Sequence, residues 1–207
     1  SIQGSEHSSY KSSKNHIKHF LTDGDHVILG AKDDAGVVSL SVDNNGNRYG
    51  LVVSHESHNH PSQIVPYEGA ATGVGGNVRD VCCMGAEVMS LGDSLRFGDI
   101  DRNKTKWISD GVVSGIAGYG NPLGIPNICG DLYFDKEYNE NCLVTVLTAG
   151  VVKEKNVIRS KAPKNSVDYD LILVGKPTDN SGFGGASFAS LELEEENEQQ
   201  NKGAVQE

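Results

Sequence analysis

The sequence predicts an α+β domain, a mixed or largely antiparallel sheet with helices on one face, followed by the start of a second, α/β domain. Three observations carry this. Apolar, β-branched segments recur along the chain, and the first pair is joined by Asp43-Asn44-Asn45-Gly46, a hairpin signal. Two segments rich in Gly and Ala are long enough for helices and offer a small face for close packing. The order of strands and helices is not a simple βαβ alternation, which favours α+β packing.

Taken in order, Glu6 to Phe20 is polar and rich in Lys and His, and predicts a short exposed helix from about Ser9. Leu21 to Asp25 reads as a turn. Ala35 to Val42 and Arg48 to Ser57 are strands, and His60-Pro61 closes the second. Pro66 opens the helix PYEGAATGVGGNVRDVCCMGA, whose glycines each cost up to ~1 kcal/mol and therefore imply contact with a neighbour. Glu87 to Phe97 is a strand, Asp110 to Gly120 a second Gly-rich helix, and Ile128 to Phe134 and Cys142 to Val152 two more strands. The result is a sheet of about four or five strands. Lys153 to Ser166 is polar and basic and reads as a linker. Asp170 to Gly175 (DLILVG) then begins the next domain, running into Gly-rich Thr178 to Gly185 and a helix from Ala186. The division falls at residues 1–155 and 156–207.

The 207 residues carry 18 basic and 28 acidic side chains, a formal net charge of −10. That balance disfavours a nucleic-acid coat or a basic membrane-surface protein. A phosphorylated ligand would need metal ions, helix N-termini or a few placed cations. No run approaches the ~20 apolar residues of a membrane span, and the opening residues lack the apolar core of a secretory signal. Cys82, Cys83, Cys129 and Cys142 show no CxxC spacing, so small buried thiols in a reducing cytoplasm are expected.

The densest chemistry lies in His55-Glu56-Ser57-His58-Asn59-His60. An HExxH zinc motif would need His where Asn59 stands. On a strand end, Glu56, His58 and His60 share one face and His55 the other. Arg79-Asp80 follows on the Gly-rich helix. Packed beside the strand, Asp80 can face Glu56, giving two hard carboxylates from separate elements, as Mg²⁺ wants when phosphates complete its shell. Arg79 can then grip a phosphate with its planar fork. The plainer readings are a polar strand end and a surface ion pair. His7 and Tyr10 in SEHSSYK suit acid–base and stacking roles but sit in an ordinary polar terminus. Thr178 to Gly185 lacks the Lys of a P-loop.

The string ESHNHPSQIVPYEGAATGVGGNVRDVCCMGAE, Glu56 to Glu87, resembles phosphoribosylformylglycinamidine synthase, the small-type synthetase subunit. SEHSSYKSS (Ser5 to Ser13), DSLRFG (Asp93 to Gly98), SDGVVSGIAGYGNPLGIP (Ser109 to Pro126), GGASFAS (Gly184 to Ser190) and AVQ (Ala204 to Gln206) extend it in family order along the chain. The resemblance implies an aminoimidazole ribonucleotide synthetase-like fold. It implies an ATP- and Mg²⁺-dependent ligase of purine biosynthesis that converts formylglycinamide ribonucleotide to the amidine with ammonia. The ammonia comes from a glutaminase subunit through a tunnel, with a small accessory subunit in the complex. By the same resemblance, His7 and His58 are catalytic, with His58 the proton acceptor, and Tyr10 contacts ATP. Glu56 and Asp80 hold magnesium, and Ser57, His58, Asn59, His60, Arg79 and Gln206 bind substrate. Gly4 stands where the family usually has Trp and Ser8 where it has Cys, implying altered packing near His7. Ser54 stands where a Lys usually contacts ATP, implying weaker neutralisation of nucleotide phosphates. Pairing of two copies through the sheets of this domain is a further expectation. A non-catalytic ligand-binding or dimerising scaffold that kept the fold is the alternative; intact Glu56, His58, Arg79 and Asp80 speak against it.

Overall fold

The computed structural model describes residues 14–30 and 33–175. His7, Tyr10, Gln206, the Gly-rich Thr178 to Gly185 and the helix expected from Ala186 lie outside the described residues.

The described part of the opening helix is one exposed turn, α1 (Lys14–Ile17). A three-residue strand, β1 (Val27–Leu29), follows where the sequence predicted none. The hairpin forms as expected between β2 (Gly36–Val42) and β3 (Arg48–Ser57). Asp43 closes its turn, accepting from the backbone N–H of Asn45 at 2.9 Å and of Asn47 at 2.8 Å, and Gly46 takes the required positive φ of 78°. The chain then turns into α2 (Asn59–Ile64) and, after Val65, α3 (Pro66–Cys83), with Pro66 at the first helical position. Gly85, at φ 77°, reverses the chain after α3 into β4 (Glu87–Phe97). Helix α4 (Asn103–Gly120), β5 (Asn127–Phe134) and β6 (Leu143–Lys153) complete the sheet.

The six strands lie in the order β1-β2-β3-β6-β4-β5. All neighbours are antiparallel except β4 and β5, which are parallel and joined through α4. The mixed α+β architecture is therefore the one the sequence predicts, with more strands. Residues of one parity face the helices. In register across the centre, Val52 pairs with Gly150 and Ser54 with Thr148, and Leu91 lies on the other side of Thr148. Val74, Val78 and Val81 of α3 and Ile108, Val112 and Ile116 of α4 cover this face and bury Leu91, Leu95, Phe97, Val144 and Val146. The opposite face carries Leu51, Val53, Leu147, Ala149 and Val151, all half-buried. On it, Arg96 grips Asp131 with two parallel bonds of 2.9 and 2.8 Å, which hold the Asp131 carboxyl down at about 2.

Three expectations need correction. Asp170 to Gly175 is not a strand but exposed coil, because no described strand lies beside it to take its hydrogen bonds. The thiols are not uniformly buried: none of the four forms a disulfide, and Cys82, Cys83 and Cys129 are exposed. Helix α4 begins at Asn103 and not at Asp110. Cys142 alone is enclosed, and burial pushes its thiol up to about 12. Under native conditions, a thiol reagent is expected to label Cys82, Cys83 and Cys129 within minutes and to reach Cys142 only on unfolding, which mass mapping of the labelled peptides checks.

Beyond β6, the chain stays tied to this domain for a few residues. Ile158 N–H donates to the Met84 carbonyl at 3.0 Å, and Arg159 Nε meets Asp33 Oδ2 at 2.6 Å.

Candidate functional site

Helix α3 runs along β3 so that its small residues step down the strand. A Cβ at Gly73 would lie 2.9 Å from the His58 Cβ, and one at Gly76 would lie 3.4 Å from Glu56 Oε2. One turn further, Asp80 Oδ2 accepts the Ser54 hydroxyl at 3.1 Å. The glycine spacing thus does what the sequence required of it: it brings the helix backbone close enough for Asp80 to meet the Glu56 end of β3. Both carboxylates are half-buried, and Arg79 beside them is exposed.

The juxtaposition shifts both carboxyls. Burial first, and the neighbouring Asp80 second, raise the Glu56 carboxyl above its ordinary range, with Arg79 opposing. Burial also raises Asp80, as does the charge of Asp34, while the Ser54 hydroxyl and Arg79 pull it down. Asp34 is a member of this acidic group that the sequence reading missed. The signal was available in the paired Asp33-Asp34 immediately before β2, where a chain reversal brings loop carboxylates to the strand ends.

A group with a raised folded-state pKa binds its proton more tightly folded than unfolded. Its destabilising effect is therefore present at neutral pH and fades as pH falls through the raised value. Glu56→Gln is accordingly expected to be more stable than the unaltered protein at pH 7, with the gap closing toward pH 4. Urea midpoints across that range check the sign; a gap that widens in acid would contradict it.

The histidine cluster is not a shared face. Strand β3 ends at Ser57, and His58 is the residue that caps α2, its N–H donating to the Val144 carbonyl at 2.7 Å. His60 therefore lies inside α2 and is buried, while His55 lies opposite Leu147 on the far side of the sheet and is exposed. Strand alternation simply does not reach past Ser57. Asn59 is buried, and its Oδ1 accepts the Val144 N–H at 2.8 Å; Gln63 Oε1 accepts the Cys142 N–H at 2.9 Å. These two amides stitch α2 to the start of β6 and fix the turn on which Ser57 and His58 sit. Among the described residues, no three His, Cys, Asp or Glu side chains are placed to hold a metal by themselves. Glu56 and Asp80 form a two-oxygen-donor set, which fits a hard divalent cation whose other ligands are water and phosphate oxygens.

A cavity of about 180 Å³ lies elsewhere, between α4, β4 and β5, lined by Leu91, Asp93, Val113, Ile116 and Asn127 among others. It is lined by residues of the Asp93–Gly98 and Ser109–Pro126 blocks but by none of the candidate catalytic, binding or metal residues named from the sequence. Asp93 within it is bonded by Asn127 Nδ2.

Comparison with known proteins follows the same lines. Residues 32–152, more than half of the chain, match the family described as AIR synthase related protein, N-terminal domain. The phosphoribosylformylglycinamidine synthase subunit PurL of Methanothrix thermoacetophila is 53% identical over 98% of this chain, and that of Methanopyrus kandleri is 46% identical over 98%. The chain spans 26% and 27% of those two relatives, about a quarter of their length. Among solved structures, Thermotoga maritima PurL complexed with FGAR matches with a TM-score of 0.65 at 36% identity, covering 91% of this chain and 29% of that one. The same protein complexed with ATP matches with a TM-score of 0.60 at 38% identity, covering 79% and 26%. PurLQS from Thermotoga maritima matches at 0.58 and 32% identity over 97% of this chain and 32% of that one. With the family match over residues 32–152 and relatives of this identity, the chain belongs to the AIR synthase-related family and carries its N-terminal domain.

Proposed function

We propose that this chain supplies part of the active site of an ATP-dependent, amidine-forming ligase of purine biosynthesis. The reaction joins formylglycinamide ribonucleotide and glutamine-derived ammonia, with ATP going to ADP and phosphate. The observation that carries the reading is the convergence of Glu56 and Asp80 from β3 and α3, beside Arg79, in a chain 53% identical to a PurL subunit.

In this reading the substrate's amide oxygen attacks the γ-phosphorus of ATP and ADP leaves. Ammonia then attacks the activated carbon, the carbon–oxygen bond to phosphate breaks, and the surplus proton passes to a base. Glu56 and Asp80 would hold a magnesium ion, which would supply positive charge against the charge developing on the phosphates. His58, on the turn fixed by Asn59 and Gln63, is the residue we assign as proton acceptor, the role its sequence match implies. Arg79 offers its exposed guanidinium to the substrate phosphate. Ser57 lies on the same turn; Asn59 and His60, being buried, contribute through its shape. His7, Tyr10 and Gln206 keep the acid–base, nucleotide and substrate roles that their sequence matches imply. Residues 1–155 are the synthetase-like domain and 156–207 the start of the next. The expected partners are a glutaminase subunit and a small accessory subunit, consistent with the assembly named PurLQS among the structural neighbours. A second copy of the fold, packed on the half-buried apolar face of the sheet, is a further partner. No described helix is long and apolar enough to cross a membrane.

The test is ADP release by the full-length protein supplied with Mg-ATP, formylglycinamide ribonucleotide and an ammonium salt. Release that requires all three supports the ligase. Release independent of the ribonucleotide, or none at any ammonium concentration, would overturn it.

A further inference from the structure

We propose that Ser54 is a positioning residue for the cation site, holding one carboxylate oxygen of Asp80 so that the other remains free for the ion. This rests on the reading of Glu56 and Asp80 given above. Ser54 is on β3, two residues before Glu56 and on the same side of the sheet. It is 6% exposed, and its hydroxyl donates to Asp80 Oδ2 at 3.1 Å. A buried hydroxyl beside a carboxylate gives a charge-assisted bond of fixed direction. Asp80 rides on α3 and Glu56 on β3, so this bond is a direct polar tie between the two elements that carry the pair. Without it, Asp80 could turn about its side-chain torsions and the spacing of the donors would no longer be set. The hydroxyl of Thr148, directly opposite Ser54 on β6, is also buried, yet has no hydrogen-bond partner. Thr148 therefore offers a control: a buried hydroxyl at the same level of the sheet that makes no such bond.

The probe is Mn²⁺, read by electron paramagnetic resonance on the full-length protein without nucleotide, at the site that Glu56→Gln removes. Partners of metal ligands are typically worth ten- to a hundredfold in affinity. Ser54→Ala is expected to weaken that site about tenfold or more, Ser54→Thr to restore it to within about threefold, and Thr148→Val to leave it unchanged. The apo melting temperature is expected to move little in any of the three. Unchanged Mn²⁺ affinity in Ser54→Ala would overturn the proposal. So would weakening in Ser54→Thr or Thr148→Val as large as in Ser54→Ala, since the effect would then be packing and not the bond. If Glu56→Gln removes no Mn²⁺ site at all, the cation reading itself fails and the role of Ser54 falls with it, an outcome distinct from failure of Ser54→Ala alone.

Discussion

Asp80→Asn is expected to reduce ATP-dependent turnover by more than about a hundredfold while leaving the protein as stable as before or more so. The two halves of this result come from one geometry. The asparagine carboxamide keeps an oxygen where Asp80 Oδ2 accepts the Ser54 hydroxyl, so the tie between α3 and β3 survives. What is lost is the charge. That charge is costly in the fold: Asp80 is half-buried, it raises Glu56, and it is itself raised by Asp34. Removing it relieves both repulsions but leaves a divalent cation with one anionic ligand of the pair. A residue that weakens the fold while serving chemistry has this signature, stability rising as activity falls. ADP release and urea unfolding on the same preparation read the two halves. Turnover within a few-fold of the unaltered protein would mean the pair holds no catalytic ion. A clear loss of stability would mean the role of Asp80 is structural.

The sequence made this pair legible because both members lie on regular elements. Glu56 is within a ten-residue strand with clean alternation, and Asp80 within a helix whose glycines announce a close neighbour. The fold was legible for the same reason wherever an element was long. It failed where elements are short or lack a partner. β1 is three residues long and α2 six, too few for a period to emerge. That missed helix is why His60 was placed on a wet strand face when it is in fact buried. The first two turns of α4 are polar, with Trp107 exposed, so no apolar stripe marks its start at Asn103. Asp170 to Gly175 has the composition of a strand, but a strand is made by the chain beside it, which composition does not report. Ser54 was visible only as a position without a cation. Its bond to Asp80 depends on a contact between residues 26 apart in sequence.

Gly115→Val is expected to destabilise the protein by about 3 kcal/mol or more, the largest effect on the fold from any one substitution considered. Gly115 faces α3 from the middle of α4. A Cβ there would overlap the Tyr67 carbonyl oxygen and sit 3.0 Å from its carbon and 3.1 Å from the Ala71 nitrogen. These are backbone atoms of a helix, which no side-chain rotation can move aside. Neighbouring contacts close the escape routes: Gly111 meets Pro66, and Gly75 of α3 meets the Tyr119 ring of α4. The helices would have to separate, and Val74, Val112 and Ile116, which fill the space between them and the sheet, would lose packing together. The damage would also reach the site. α3 carries Gly73 against His58, Gly76 against Glu56 and Asp80 against Ser54, so a displaced α3 takes the carboxylate pair apart. Ser114→Ala is the control: it is next in the chain but exposed, and exchanges serine for a better helix former at no steric cost. Urea unfolding should show Gly115→Val far less stable and Ser114→Ala unchanged or slightly more stable. Equal stability for the two would mean that the approach of α3 to α4 is not what holds the pair in place, and that the small-residue faces of both helices serve some other contact.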